Sequence, residues 1–252
     1  MAGRRCGWRL CGLFGVVILV SGCAQHGDGQ SKAGGFLERP FEGDYPDGWP
    51  FDHDLPLNVF SSAMMSSPGV LTWRGDNVVL PWGEGDGHDG HDWQLPEGTP
   101  LVATADGVVT VAGLDRPVRC GDRDVQAVVL RLRHDRPDGE VFESIYGHLS
   151  VLQVAVGDQV RGGQRVGLSG STGCASGPHV HFGVRRLTGT NSGEPAIVDP
   201  FGWQGRFPDP WALHPRGAES RWLWRGAAPA GDFLLRSGRA PDQTGPSAAG
   251  EK

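Results

Sequence analysis

The 252-residue chain is long enough for one sizeable domain with extensions, or for two small domains. Its 41 glycines and 19 prolines favour a turn-rich β protein over a helical bundle, because both residues break helix interiors. A formal net charge of −6 argues against nucleic acid as a partner, since phosphate binding needs clustered Lys and Arg.

Arg4, Arg5 and Arg9 precede an apolar run, Leu10 to Val20, that is too short to span a membrane comfortably. The run ends in Val20-Ser21-Gly22-Cys23: an aliphatic residue, two small ones, then cysteine. This resembles the lipobox of bacterial lipoproteins. The resemblance implies a signal peptide over 1–22, lipidation of Cys23, and a chain exported and anchored at the cell envelope. Removing residues 1–22 takes the net charge from −6 to −9. Cys6 and Cys11 then leave with the signal, and Cys120 and Cys174 remain as an even pair that could form a disulfide in an oxidising compartment. Residues 23–48 are Gly-rich and aperiodic and read as a flexible tether.

Short β-type segments follow. In 101–113 (LVATADGVVTVAG) a turn signal at Ala105-Asp106-Gly107 separates two apolar runs. In 128–133 (VVLRLR), Val128, Leu130 and Leu132 alternate with Val129, Arg131 and Arg133, the period of a half-buried strand. Residues 134–140 carry turn chemistry, and 141–150 return as the hairpin partner. Two short strands flank Gly162-Gly163, and 178–186 (PHVHFGVRR) closes the series. No segment between 55 and 205 has a helical period longer than two turns. The expected fold is all-β, an antiparallel sheet core over 49–205 with long loops. Trp211, Trp222 and Trp224 are expected to pack an extension, 206–226, onto that core, and 227–252 (Ala, Gly, Pro and Ser-rich) to form a disordered tail.

Two stretches carry chemistry. His179-Val180-His181 on a strand sets two imidazoles on one face, roughly 6–7 Å apart along the chain, with Val180 and Phe182 facing the core. In His88-Asp89-Gly90-His91-Asp92, His88 and Asp92 stand four apart, and Gly90 permits the close backbone that would bring both onto one ion. An imidazole nitrogen and a carboxylate oxygen suit zinc, and His181 could supply a third ligand with one position left open. His91 could replace His88 but has no carboxylate four residues on; it is expected to be solvated. A calcium loop fails on spacing, because no D-x-D-x-D-G run starts at Asp86.

His88-x-Gly90-x-Asp92, Tyr146-Gly147-His148-Leu149-Ser150 and Ser176-Gly177-Pro178-His179-Val180-His181-Phe182 together resemble the lysostaphin/LytM family. Its members are zinc metallopeptidases that cut peptide cross-links in bacterial peptidoglycan. The resemblance covers roughly 80–205. It implies that His88, Asp92 and His181 bind Zn²⁺, that His148 and His179 are the catalytic pair, and that the fold is of the barrel-sandwich-like, lysostaphin type. Gly183 departs from the pattern, which often has Glu there. In such a site zinc activates water, and an imidazole takes the place of the absent H-E-x-x-H glutamate as base. The expected protein is a monomeric metalloendopeptidase with peptidoglycan and a membrane as partners. The alternative is a wall-bound regulator that activates another hydrolase. A biotinyl or lipoyl carrier is excluded, because residues 33–251 contain no lysine to modify.

Overall fold

A computed structural model describes residues 34–54, 69–80, 87–214 and 217–230. The expected signal peptide, Cys23 and residues 231–252 of the expected tail lie outside the described residues. No described helix is long and apolar enough to cross a membrane.

The strands are β1 (Asp47–Trp49), β2 (Val70–Leu71), β3 (Asn77–Val78), β4 (His91–Trp93), β5 (Pro100–Val102), β6 (Gly107–Leu114), β7 (Val118–Cys120) and β8 (Arg123–Val125). Then come β9 (Val128–Asp135), β10 (Val141–Gly147), β11 (Val151–Leu152), β12 (Gln159–Val160), β13 (Arg165–Leu168), β14 (Val180–Arg186), β15 (Ala196–Val198) and the short helix α1 (Pro210–Leu213). The main sheet runs β1-β4-β14-β10-β9-β6-β12, with β15 also paired to β14. A second sheet is β11-β13-β5. The strand pairings are antiparallel, so the all-β expectation holds.

Alternation builds the core. On β9, Leu130 and Leu132 are buried while Arg133 faces solvent. On β14, Val180, Phe182 and Val184 are buried, and they meet Trp93 of β4 and Tyr146 of β10. The Tyr146 hydroxyl donates to the Val102 carbonyl and accepts from Thr104 N–H, so this buried phenol is satisfied.

Two sequence expectations meet the structure differently. Residues 34–48 do not form a free tether. Leu37 and Phe41 are buried in the core, Leu37 bridges to Trp224, Phe41 bridges to Leu101, and Asp47 opens β1 on the main sheet. The reason is that Phe36, Leu37, Phe41 and Tyr45 supply enough apolar surface to fold a Gly-rich stretch back. The tryptophans of the C-terminal segment face inward: Trp224 contacts Trp93, Phe182 and Phe201, and Trp211 is buried on α1. Each such aromatic removes about 150–250 Å² from water, worth at most about 4–6 kcal/mol.

Candidate metal centre and active site

The site lies where β4, β14 and β10 run side by side. Antiparallel register puts Asp92 directly opposite His181, and His181 directly opposite Gly147. His148 follows the end of β10, His179 precedes β14, and His88 sits on the turn before β4. One face of three neighbouring strands thus collects residues up to 93 positions apart. Gly90 is needed for space. A Cβ there would stand 2.7 Å from the Phe182 carbonyl oxygen and 2.7 Å from the His181 ring.

Three donor atoms converge. Asp92 Oδ1 lies 3.0 Å from His181 Nδ1 and 3.2 Å from His88 Nε2, and the two nitrogens are 3.2 Å apart. The three residues form a candidate metal group. A tetrahedral zinc with bonds of about 2.0–2.2 Å sets its ligand atoms about 3.3–3.6 Å apart, so this triangle is smaller by only a few tenths of an ångström. Proton placement agrees. His88 Nδ1–H donates to the Pro50 carbonyl, 3.1 Å away, which leaves a lone pair on Nε2 facing the centre. The outer nitrogen of His181, Nε2, is 3.5 Å from the Asp89 carboxylate. A Glu at 183 is thus not required to supply a carboxylate near that ring. Trp49 stacks on His88 with ring centroids 4.7 Å apart.

Burial alone would raise the Asp92 carboxyl, but the charges and hydrogen bonds of His88 and His181 outweigh it and hold it well below the usual carboxylate range. Burial alone would lower His181, and the Asp92 hydrogen bond and charge more than reverse that.

His148 and His179 stand beside this triangle, their ring centroids 4.5 Å apart. His148 Nδ1–H donates to the Thr172 carbonyl at 2.7 Å, and His179 Nδ1–H to the Gly177 carbonyl at 2.8 Å. Each therefore turns Nε2 away from its holder, and His179 Nε2 is 3.5 Å from Asp92 Oδ2. Burial lowers the His148 pKa below the usual imidazole value, against the pull of the Thr172 carbonyl. His148 is also the one described non-glycine residue in the left-handed region, at φ 63°, a conformation costing on the order of 1 kcal/mol.

Sequence reasoning missed the support behind the site. His91, expected to be solvated, is fully buried. On β4 the side chains alternate, so with Asp92 facing the site His91 and Trp93 must face inward. Its Nδ1 lies 2.6 Å from Asp47 Oδ2 and its Nε2 3.2 Å from Asp199 Oδ1. Asp199 Oδ2 is 3.1 Å from His53 Nε2, and His53 Nδ1 is 2.8 Å from Asp209 Oδ1. Asp209 also accepts from Trp211 N–H as the N-cap of α1. Three carboxylates and two imidazoles thus alternate along one buried chain. Burial opposes charging the rings, but the flanking carboxylates outweigh it, pushing His53 up to about 9 and His91 to about 10.

Cys120 and Cys174 form a disulfide with a Cα–Cα distance of 5.5 Å. It ties β7 to the loop between Gly170 and His179.

Residues 86–195 match the model for Peptidase family M23. The chain is 41% identical over 98 residues to the DD-carboxypeptidase/endopeptidase Mpg of Neisseria meningitidis, covering 39% of this chain and 20% of that protein. It is 36% identical over 95 residues to the peptidoglycan DD-endopeptidase ShyA of Vibrio cholerae, covering 38% and 19%. The chain thus spans about a fifth of the length of these relatives. The catalytic domain of lysostaphin from Staphylococcus simulans is 27% identical, with 62% of this chain and 90% of that one covered at a TM-score of 0.40. Over residues 86–195, the span that holds His88, Asp92, His148, His179 and His181, this chain is similar to peptidase family M23.

Proposed function

We propose that the protein is a zinc-dependent endopeptidase that hydrolyses peptide cross-links of bacterial peptidoglycan. The observation that carries the reading is the convergence of the His88, Asp92 and His181 donor atoms beside two further imidazoles whose Nδ1 protons are already committed. The names of the relatives support the substrate class. His88 Nε2, Asp92 Oδ1 and His181 Nδ1 would hold the metal. When bound, zinc supplies Lewis-acid polarisation of a carbonyl and lowers the pKa of water toward neutrality.

The chain's own residues divide the remaining work. The Thr172 carbonyl holds the His148 proton on Nδ1, so His148 presents an Nε2 lone pair suited to accept a proton. His179 Nε2 stands 3.5 Å from Asp92 Oδ2, beside the donor triangle, where it is placed to donate a hydrogen bond to developing negative charge or a proton to the leaving amine. Trp49 and Pro50 keep the His88 ring in its plane. Lipidation at Cys23, as the lipobox resemblance implies, would place this site at the cell envelope, against its substrate.

The test is incubation of the zinc-loaded full chain with purified peptidoglycan, with and without a chelator, and identification of released muropeptides by mass spectrometry. Chelator-sensitive loss of cross-linked dimers supports the peptidase and identifies its bond. No release by a folded protein that holds its zinc contradicts it and favours the wall-bound regulator.

A further inference from the structure

We infer that the Cys120–Cys174 disulfide is a positioning device for one histidine of the site, His179, and leaves His148 and the metal ligands untouched. The inference rests on the peptidase reading for its kinetic arm, while its structural arm stands without it.

The two non-ligand histidines hang from the same loop, 171–178, by different carbonyls. The first holder, Thr172, is fixed by hydrogen bonds of its own. Its hydroxyl donates to the Leu149 carbonyl at 2.9 Å and accepts from Val128 N–H at 3.0 Å. Gly173 follows in a left-handed conformation, packed so closely that a Cβ there would lie 2.7 Å from that of Ala127. The Thr172 carbonyl that takes the His148 proton is therefore set by β9 and by the turn after β10, with no help from the cystine.

The second holder, Gly177, is secured differently. Cys174 and Ser176 are exposed, and the hydrogen bond described for residues 174–177 is the one from His179 Nδ1–H to the Gly177 carbonyl. The carbonyl that orients the ring thus belongs to a short arc with little else to hold it. One end of that arc is the Gly170–His179 bridge, and the other is the covalent link from Cys174 to Cys120. The far cysteine, Cys120, pairs with Arg123 at the tip of the β7–β8 hairpin, whose base is closed by Asp115 N–H to the Ala127 carbonyl and by Gln126 Nε2 to the Asp115 carbonyl. Ala127 is the same residue that Gly173 packs against. The start of the arc is therefore tied to both ends of this hairpin, at its base by the Gly173–Ala127 contact and at its tip by the disulfide, and the Gly177 carbonyl extends from it toward His179. A ring displaced by about 1 Å can cost on the order of 10²-fold in rate, so a single cross-link at this place matters to chemistry as well as to folding.

The experiment opens the disulfide in two ways in the full chain. One is reduction by a dithiol, which gives up two electrons and two protons to the cystine as it closes to its own cyclic disulfide. The other is the C120S/C174S variant. Imidazole signals are followed by NMR in histidine-labelled protein, assigned with His148→Ala and His179→Ala, alongside zinc content and kcat and KM on a soluble cross-linked muropeptide. The expected result is a shift or broadening of the His179 signals with those of His148 unmoved and zinc still bound. With it, kcat falls on the order of 10–10²-fold at little change in KM. Unchanged His179 signals overturn the inference, and so does unchanged kcat in a protein that cleaves when oxidised. Joint collapse of the His148 and His179 signals also overturns it, because the cystine is then a general staple. Absence of cleavage in the oxidised wild-type protein counts against the peptidase reading instead, and the NMR arm still decides this one.

Discussion

Charge on His53 should make the stability of the protein fall steeply between about pH 6.5 and 9. His53 is fully buried between Asp199 and Asp209, with the Trp203 and Phe51 rings packed against it. Burial would lower its pKa, and the two carboxylates outweigh that and raise it from 6.5 to about 9. A folded-state value above the unfolded one means that the folded chain holds the proton more tightly. The resulting stability is complete below the unfolded value, 6.5, and is lost as pH rises through about 9. Each factor of ten in the proton equilibrium is worth about 1.4 kcal/mol, so the rise stores on the order of 3 kcal/mol. At about 2–4 °C per kcal/mol for a domain of this size, Tm should drop by roughly 6–12 °C across that window. The assay is thermal unfolding of chelator-treated wild-type and His53→Asn proteins, disulfide intact, at intervals from pH 6 to 10. The variant should be less stable at pH 6, because Asp199 and Asp209 lose their partner, and should lack this share of the alkaline loss. Parallel profiles for the two proteins would refute the reasoning.

Three further outcomes follow from the geometry. Gly90→Ala should keep the fold but weaken zinc binding about tenfold or more, read by competition with a chromogenic chelator, because its Cβ would push on the His181 ring and the Phe182 carbonyl. Tyr146→Phe removes a hydroxyl from between Val102 and Thr104, and should cost about 1–3 kcal/mol in denaturant unfolding with zinc binding unchanged. C120S/C174S should lose about 4 kcal/mol by loop entropy, since the cross-link spans 54 residues; a loss below about 1 kcal/mol would show that the unfolded chain is not what it constrains.

The parts of the site that were legible in the sequence are those that local periodicity dictates. A strand puts residues i and i+2 on one face, which made His179 and His181 a pair with Val180 and Phe182 behind them, and the structure buries those two as the alternation requires. The same rule, carried one strand further, would have placed His91: once Asp92 is set on the site face of β4, its neighbours point inward. That step was missed because His88-Asp89-Gly90-His91-Asp92 reads as a polar loop until a strand is known to begin at His91. Asp47, His53, Asp199 and Asp209 carried no such signal. Each is an ordinary polar residue in its own stretch, and only the sheet topology joins them into one chain with His91. Residues 34–48 failed for another reason. Their glycines and prolines broke any period, while four aromatic and aliphatic side chains sufficed to bury the stretch against Trp224 and Leu101.

The most direct test of the account separates metal holding from proton handling, by measuring bound zinc and peptidoglycan cleavage in His181→Ala and His148→Ala side by side. His181→Ala should lose both, since it removes one corner of the donor triangle. His148→Ala should keep stoichiometric zinc and lose cleavage by about 10²–10⁴-fold. Cleavage that survives both substitutions, or a His148→Ala protein that loses its zinc, would contradict the assignment of roles at the centre of the account.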